Sequence, residues 1–211
     1  MLDIVGIVIV FCIILFSMML HELAHGLTAY WLGDETAKLD GRLSLNPLKH
    51  IDPVMSVLVP MMLYLMGAPV LGGAKPVPVN KNNLRYGEWG MALVALAGPM
   101  TNLLLAFASF LVGYFTGALY VGGIGGSICY ELVIINLGFM IFNLIPIAPL
   151  DGSRIVYAFA PDGIRRLMDI LERYGLIIVY VMVAIFGSVL SAFINNMMLG
   201  ILDGFYFIVG V

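Results

Sequence analysis

Residues 4–33 read IVGIVIVFCIILFSMMLHELAHGLTAYWLG, a stretch in which Glu22 is the one ionised side chain at neutral pH. About 20 apolar residues cross the ~30 Å hydrocarbon layer of a bilayer as a helix, so this stretch predicts a membrane-crossing helix over about 4–33. Its second half carries His21-Glu22-Leu23-Ala24-His25. Residues four apart share a helix face, so both imidazoles can reach one metal ion. Glu22, beside the first ligand, can reach a water on that ion as a general base. Two of the chain's 3 histidines lie in this motif. Ionisable groups inside a membrane segment are costly and therefore seldom idle.

The same solvent is written into the rest of the chain. Of its 211 residues, 62% are hydrophobic and 11% charged, where a soluble domain carries about 25% charged residues. The mean hydropathy is +1.04. Segments 53–74, 89–130, 132–150 and 174–202 contain no Asp, Glu, Lys or Arg. Gly117, Gly122, Gly123, Gly125 and Gly126 divide the second of these. They leave helices at 89–116 and 128–147, the latter ending in the turn Pro149-Leu150-Asp151-Gly152. A C-terminal helix at 174–198 and an apolar tail follow. The fold expected is an all-α integral membrane protein: a polytopic helical bundle of five to six membrane segments, forming a single core over 1–211.

Three polar islands, 34–52, 75–88 and 151–173, hold all 10 basic residues. Basic loops stay cytoplasmic, so the first helix runs inward, 89–116 outward and 128–147 inward again. Segment 53–74 is then a re-entrant or short span. Within 34–52, residues 42–45 alternate like a short strand. Segment 72–85, with Lys75-Pro76-Val77-Pro78-Val79, reads as an edge strand because Pro is confined to sheet edges. It makes a small re-entrant or edge β-hairpin. Residues 153–173 form an amphipathic linker. The net charge of −3 gives no reason to expect nucleic acid. Cys12 and Cys129 lack CxxC spacing and read as buried structural residues. Nothing in the sequence specifies an oligomeric state.

A catalytic zinc needs a third protein ligand and an open position. Asp34, Glu35, Asp40, Asp52, Glu131 and Asp151 are the acidic candidates. Glu131 starts its helix on the outer side, and the first three follow the motif helix too closely to fold back. Asp151 ends a run broken by Pro146 and Pro149, three residues before Arg154, at a depth matching His25. Irregular backbone at that depth is tolerated where it lines a cavity or is buried in protein. Two alternatives stay open: Asp151 caps a helix starting at Gly152, or His50 is the third ligand, though beside Lys49 it reads as solvated. Two neutral imidazoles and one carboxylate leave Zn²⁺ at +1, a cluster cheap to keep from bulk water. Asn102 and Asn143 are candidates for interhelical hydrogen bonding or for donating to a substrate or oxyanion.

The strings HELAHG, AGPMTN and NLIPIAPLDG, with GRLSLNPLKHIDP and AKPVPV between them, resemble the site-2 protease family of intramembrane zinc metalloproteases. The likeness is to its minimal prokaryotic type, without PDZ or CBS domain. The resemblance implies one zinc ion held by His21, His25 and Asp151, with Glu22 as base and Asn143 assisting near the scissile carbonyl. It implies that Val77, Pro78 and Val79, with Asn102 nearby, bind an extended substrate by β-augmentation. Partners would be single-span membrane proteins and the lipid bilayer. The place would be a prokaryotic cell membrane, with the active site toward the cytoplasm and a role in regulated proteolysis. Two rivals remain. A non-catalytic membrane binding protein would not need Glu22. A zinc or small-solute transporter would need a polar path across the bilayer, and an internal repeat would favour it; none is visible in the sequence.

Overall fold

A computed structural model describes residues 4–53, 58–65 and 75–210. Four of its helices are long and apolar enough to cross a membrane. They are α1 (Ile4–Trp31), α4 (Glu88–Phe115), α6 (Gly123–Asn143) and α9 (Gly175–Ile208). Between them lie the short helices α2 (Thr36–Leu39), α3 (Val59–Leu65), α5 (Ala118–Val121), α7 (Asp151–Phe159) and α8 (Asp162–Arg173). The chain is thus a helical membrane protein. Most of the expected 53–74 segment lies outside the described residues, α3 apart.

α1 ends where its capping chemistry says it should. Gly33 takes a φ of 106°, a left-handed value that glycine adopts without penalty. Its N–H reaches Tyr30 O and the Asp34 N–H reaches Ala29 O, the Schellman arrangement that satisfies terminal carbonyls. α4 is the central helix and packs on α1, α6 and α7. Ala106 and Phe110 of α4 form the main apolar core with Val133, Leu137, Met140 and Ile141 of α6 and Met198 and Phe205 of α9.

The outer faces run the other way. Ile4, Val5, Ile7, Val8 and Phe11 of α1 and Ile177, Ile185 and Val189 of α9 are exposed. In water such a surface drives association; in hydrocarbon it is the stable one.

Several expectations change. The 128–147 helix runs instead from Gly123 to Asn143, because Pro146 and Pro149 cannot continue it. The C-terminal helix and tail are one 34-residue helix with non-helical φ/ψ at Phe186. At 1.5 Å per residue it is roughly 51 Å long, more than the hydrocarbon layer requires. The linker 153–173 becomes α7 and α8. On α8 the apolar Ile164, Leu167 and Leu171 are exposed, on the side opposite Asp162, Arg166 and Arg173.

No strand occurs among the described residues, so the short strand at 42–45 is absent and no β-hairpin is seen among them; residues 72–74 of the expected edge strand lie outside the described residues. Residues 75–80 belong to no helix or strand, and Asn80 has extended backbone angles. Pro76 and Pro78 have no N–H to offer a ladder, and side chains hold the segment instead. Cys12 is exposed and Cys129 half-buried, against the expectation that both are buried. Each sits on a helix long and apolar enough to cross a membrane, and contact with hydrocarbon costs a thiol little.

Candidate metal centre

α1 carries His21 and His25 one turn apart, and both are buried. α4 crosses directly over them. Its Gly98 stands so close that a Cβ there would lie 2.5 Å from His25 Nε2 and 2.6 Å from His21 Cε1. Only a residue without a side chain leaves the imidazoles their place.

Asp151 arrives from the other side. After α6 ends, Ile145 N bonds Phe142 O, Ile147 N bonds Ile145 O and Leu150 N bonds Ile147 O. These turns deliver Asp151 as the first residue of α7. Gly152 packs against this turn: a Cβ on it would meet Leu144 O at 2.2 Å. Capping is not what Asp151 does, since α7 begins at Asp151 itself and its N-cap is Leu150, with no side-chain cap bond.

His21 Nε2 and His25 Nε2 are 3.0 Å apart. Asp151 Oδ2 lies 3.3 Å from the first and 3.4 Å from the second. Among the described residues these three form a cluster that could hold a metal ion.

The hydrogen bonds behind them decide which atoms face inward. His21 Nδ1 is 2.6 Å from Asn102 Oδ1, and His25 Nδ1 is 2.7 Å from Val94 O. Both oxygens only accept, so each Nδ1 carries a proton and donates it. In neutral imidazoles Nε2 is then a bare lone pair. Asp151 Oδ2 is buried and has no hydrogen-bond partner. Three lone-pair atoms so close repel one another, and a buried carboxylate oxygen without a donor is costly. A cation among them removes both penalties. Two imidazole nitrogens and one carboxylate oxygen make a catalytic zinc donor set that leaves a position open.

Glu22 faces segment 75–80. Its Oε2 accepts the Val77 N–H at 2.9 Å. That segment is strapped down at both ends. Arg42 donates to Lys75 O at 2.8 Å, to Pro76 O at 3.0 Å and to Lys49 O, while Lys75 N bonds His50 O. At the far end Asn80 N donates to Asp34 Oδ2 at 2.7 Å.

Asp34 is fully buried and also accepts from Thr36 N, Thr36 Oγ1 and Asn83 Nδ2. Burial by itself raises its carboxyl. The Thr36 hydroxyl, the Asn80 and Thr36 amides and Asn83 outweigh that and hold it below the usual carboxylate range.

The other expected residues fall as follows. Val77 is buried, with its methyls against Gly26. Val79 packs on the cluster of Ala29, Leu84 and Val94. Asn102 is fully buried; its Oδ1 takes the His21 bond and its Nδ2 donates to Asn136. Asn143 Nδ2 donates to Phe139 O, within its own helix. His50 is buried rather than solvated, with Nε2 on Ser44 O at 2.8 Å, and it stands outside the metal cluster. Reading the sequence missed Asn136, Ser17 and the Val94 carbonyl. A backbone carbonyl leaves no compositional signal, and an isolated Asn or Ser in an apolar helix reads as ordinary helix packing.

Fold and site together define a class: a helical membrane protein with a His-His-Asp cluster that could hold a metal ion, beside a glutamate. Comparison with known proteins narrows it. The chain is 38% identical over 172 residues to "Putative zinc metalloprotease YwhC" of Bacillus subtilis, covering 79% of this chain and 75% of the relative. It is 30% identical over 175 residues to Rip2 of Mycolicibacterium smegmatis, which carries the same descriptive name, and spans 63% of that protein's length. It is 29% identical to Rip3 of Mycobacterium tuberculosis over 181 residues, 37% of that relative. No family model and no solved structure matches the chain. The chain belongs to the zinc metalloprotease family of YwhC.

Proposed function

We propose that this chain is a zinc-dependent intramembrane endopeptidase of the site-2 protease family, cutting single-span membrane proteins in or beside their transmembrane segments. One observation carries the reading: His21 Nε2, His25 Nε2 and Asp151 Oδ2 converge within 3.4 Å, next to a glutamate on the same helix and among membrane-spanning helices.

A zinc ion held there supplies Lewis acidity, polarising a peptide carbonyl and acidifying a water. The remaining work falls to the chain. Glu22 takes a proton from the attacking water on its carboxylate and passes it to the amide nitrogen as the C–N bond breaks. Asn143 assists near the scissile carbonyl once its amide leaves Phe139 O. The substrate unwinds locally and lies along residues 75–80. No hydrogen bond engages the backbone of Pro78 or Val79 among the described residues, which supports that docking. The Val77 N–H holds Glu22 in place until substrate arrives. The basic residues of the islands support a cytoplasmic active site, while the resemblance to the site-2 protease family supports a prokaryotic cell membrane and a role in regulated proteolysis.

The test is zinc content and cleavage of a single-span substrate by purified protein in lipid. Stoichiometric zinc with Glu22-dependent cleavage is expected; a folded protein that binds zinc and never cleaves would leave the binding-protein reading in its place.

A further inference from the structure

We propose that Asn136 of α6 is a positioning residue for the metal centre, setting the tautomer of His21 through Asn102 by a polarity that begins at the Leu132 carbonyl. The inference rests on the zinc reading for its consequence, while the tautomer itself belongs to the metal-free protein.

Ser17 of α1, Asn102 of α4 and Asn136 of α6 are each 0% exposed. They form one chain of bonds behind His21. Asn136 Nδ2 donates to Leu132 O at 2.8 Å and to Ser17 Oγ at 2.9 Å. Asn136 Oδ1 accepts from Asn102 Nδ2 at 2.8 Å. Asn102 Oδ1 faces His21 Nδ1 at 2.6 Å.

The direction of each bond follows from one fixed end. A backbone carbonyl only accepts, so the Asn136 group facing Leu132 O must be the NH₂. That leaves its oxygen toward Asn102, which must answer with its own NH₂ and turn its oxygen to His21. The imidazole then has one way to respond: Nδ1 carries the proton and Nε2 is left bare toward Asp151. Ser17 adds nothing to this polarity, because a hydroxyl both donates and accepts. His25 needs no such relay, since Val94 O fixes its Nδ1 directly. A network that merely stitches three helices together needs bonds between them but no particular polarity at its His21 end. A network that presents a lone pair to a metal is served by one.

The test starts with metal-free wild type in micelles, its histidines labelled with ¹⁵N and His50 identified by a His50→Gln variant. His21 is expected as the Nδ1–H tautomer with an unprotonated Nε2. In Asn136→Leu, Asn102 is free to flip, and His21 is expected to become a mixture of tautomers. Zinc affinity in chelator competition should then fall about 10–100-fold, the usual loss for an outer-shell partner of a ligand. Ser17→Ala keeps the polarity and is expected to stay within about threefold of wild type.

Wild-type His21 protonated on Nε2 would overturn the proposal, and that measurement needs no variant to fold. So would an Asn136→Leu protein with wild-type tautomer and affinity, or a Ser17→Ala loss as large as that of Asn136→Leu. A wild type that binds no zinc while His21 shows the Nδ1–H tautomer sinks the proposed activity and leaves the relay standing.

Discussion

Gly98 sits against His25 with no room for a side chain: a Cβ on Gly98 would stand 2.5 Å from His25 Nε2. The atom it would strike is the one aimed at Asp151. Packing between α1 and α4 and the geometry of the metal centre are therefore the same contact. Gly98→Ala is expected to push the imidazoles apart. Zinc affinity should fall at least about tenfold, and cleavage about 100-fold, as for a displacement near 1 Å. Chelator competition and a cleavage assay check this, and a variant with wild-type zinc binding would show that α4 can shift away.

Among the described residues Glu22 makes no hydrogen bond or ion pair with His21, His25 or Asp151; its Oε2 accepts the Val77 N–H. Glu22→Gln should keep zinc at wild-type stoichiometry and lower cleavage by about 10²–10⁴-fold, the usual contribution of a general base. Metal analysis beside a single-turnover assay separates the two effects. Activity surviving in this variant would move the proton transfer to another group.

Asp34 links pH to the strap over the site. Its folded carboxyl lies below the usual range. The stability it contributes is therefore full above the ordinary Asp value of about 3.9 and lost as pH falls through the folded one. Wild-type protein should lose thermal stability steeply below about pH 4. Asp34→Asn should flatten that slope and cost about 1–3 kcal/mol at neutral pH, since it turns a donor toward buried donors. Thermal melts of both proteins with zinc chelated, from pH 3 to pH 7, measure the difference; parallel curves would remove Asp34 from the account.

Arg42 holds the other end of the strap through the carbonyls of Lys49, Lys75 and Pro76. A lysine carries its three donors on one nitrogen and lacks the planar fork that lets Nη1 reach Lys49 O while Nη2 reaches Lys75 O and Pro76 O. Arg42→Lys is expected to raise the rate of proteolytic nicking within 75–80 about tenfold, the equivalent of one charged hydrogen bond, while zinc content stays unchanged. Limited proteolysis with mass spectrometry reads this directly.

Much of the architecture was legible because its causes are local. The 4–33 and 89–116 helices appear within two residues of their expected ends, set by runs of apolar residues and a glycine after Leu32. Two expectations differ from the structure, one for a local reason and one for a non-local one. The helix expected to reach 147 ends at Asn143, because Pro146 and Pro149 stop a helix rather than merely interrupt it. The edge strand expected at 72–85 rests on composition, but a strand needs a partner, which depends on residues far away in sequence, and none is seen among the described residues. The 75–80 backbone is bonded instead by Arg42, His50, Glu22 and Asp34.

The metal centre divides the same way. His21, Glu22 and His25 are placed by helical spacing, a property of one segment, and the sequence alone determined that they share a helix with two residues on one face. It also determined the solvent, since no aqueous fold exposes so much apolar helix. That Asp151 Oδ2 meets both Nε2 atoms depends on how α7 docks on α4. That Asn136 faces Asn102 depends on how α6 docks on α4. Those contacts are decided by interlocking surfaces such as Gly98 and Gly152, where closeness of backbone rather than residue type sets the geometry. Only the tertiary structure could show that a carbonyl at Leu132 stands three bonds behind the histidine that HELAHG announces.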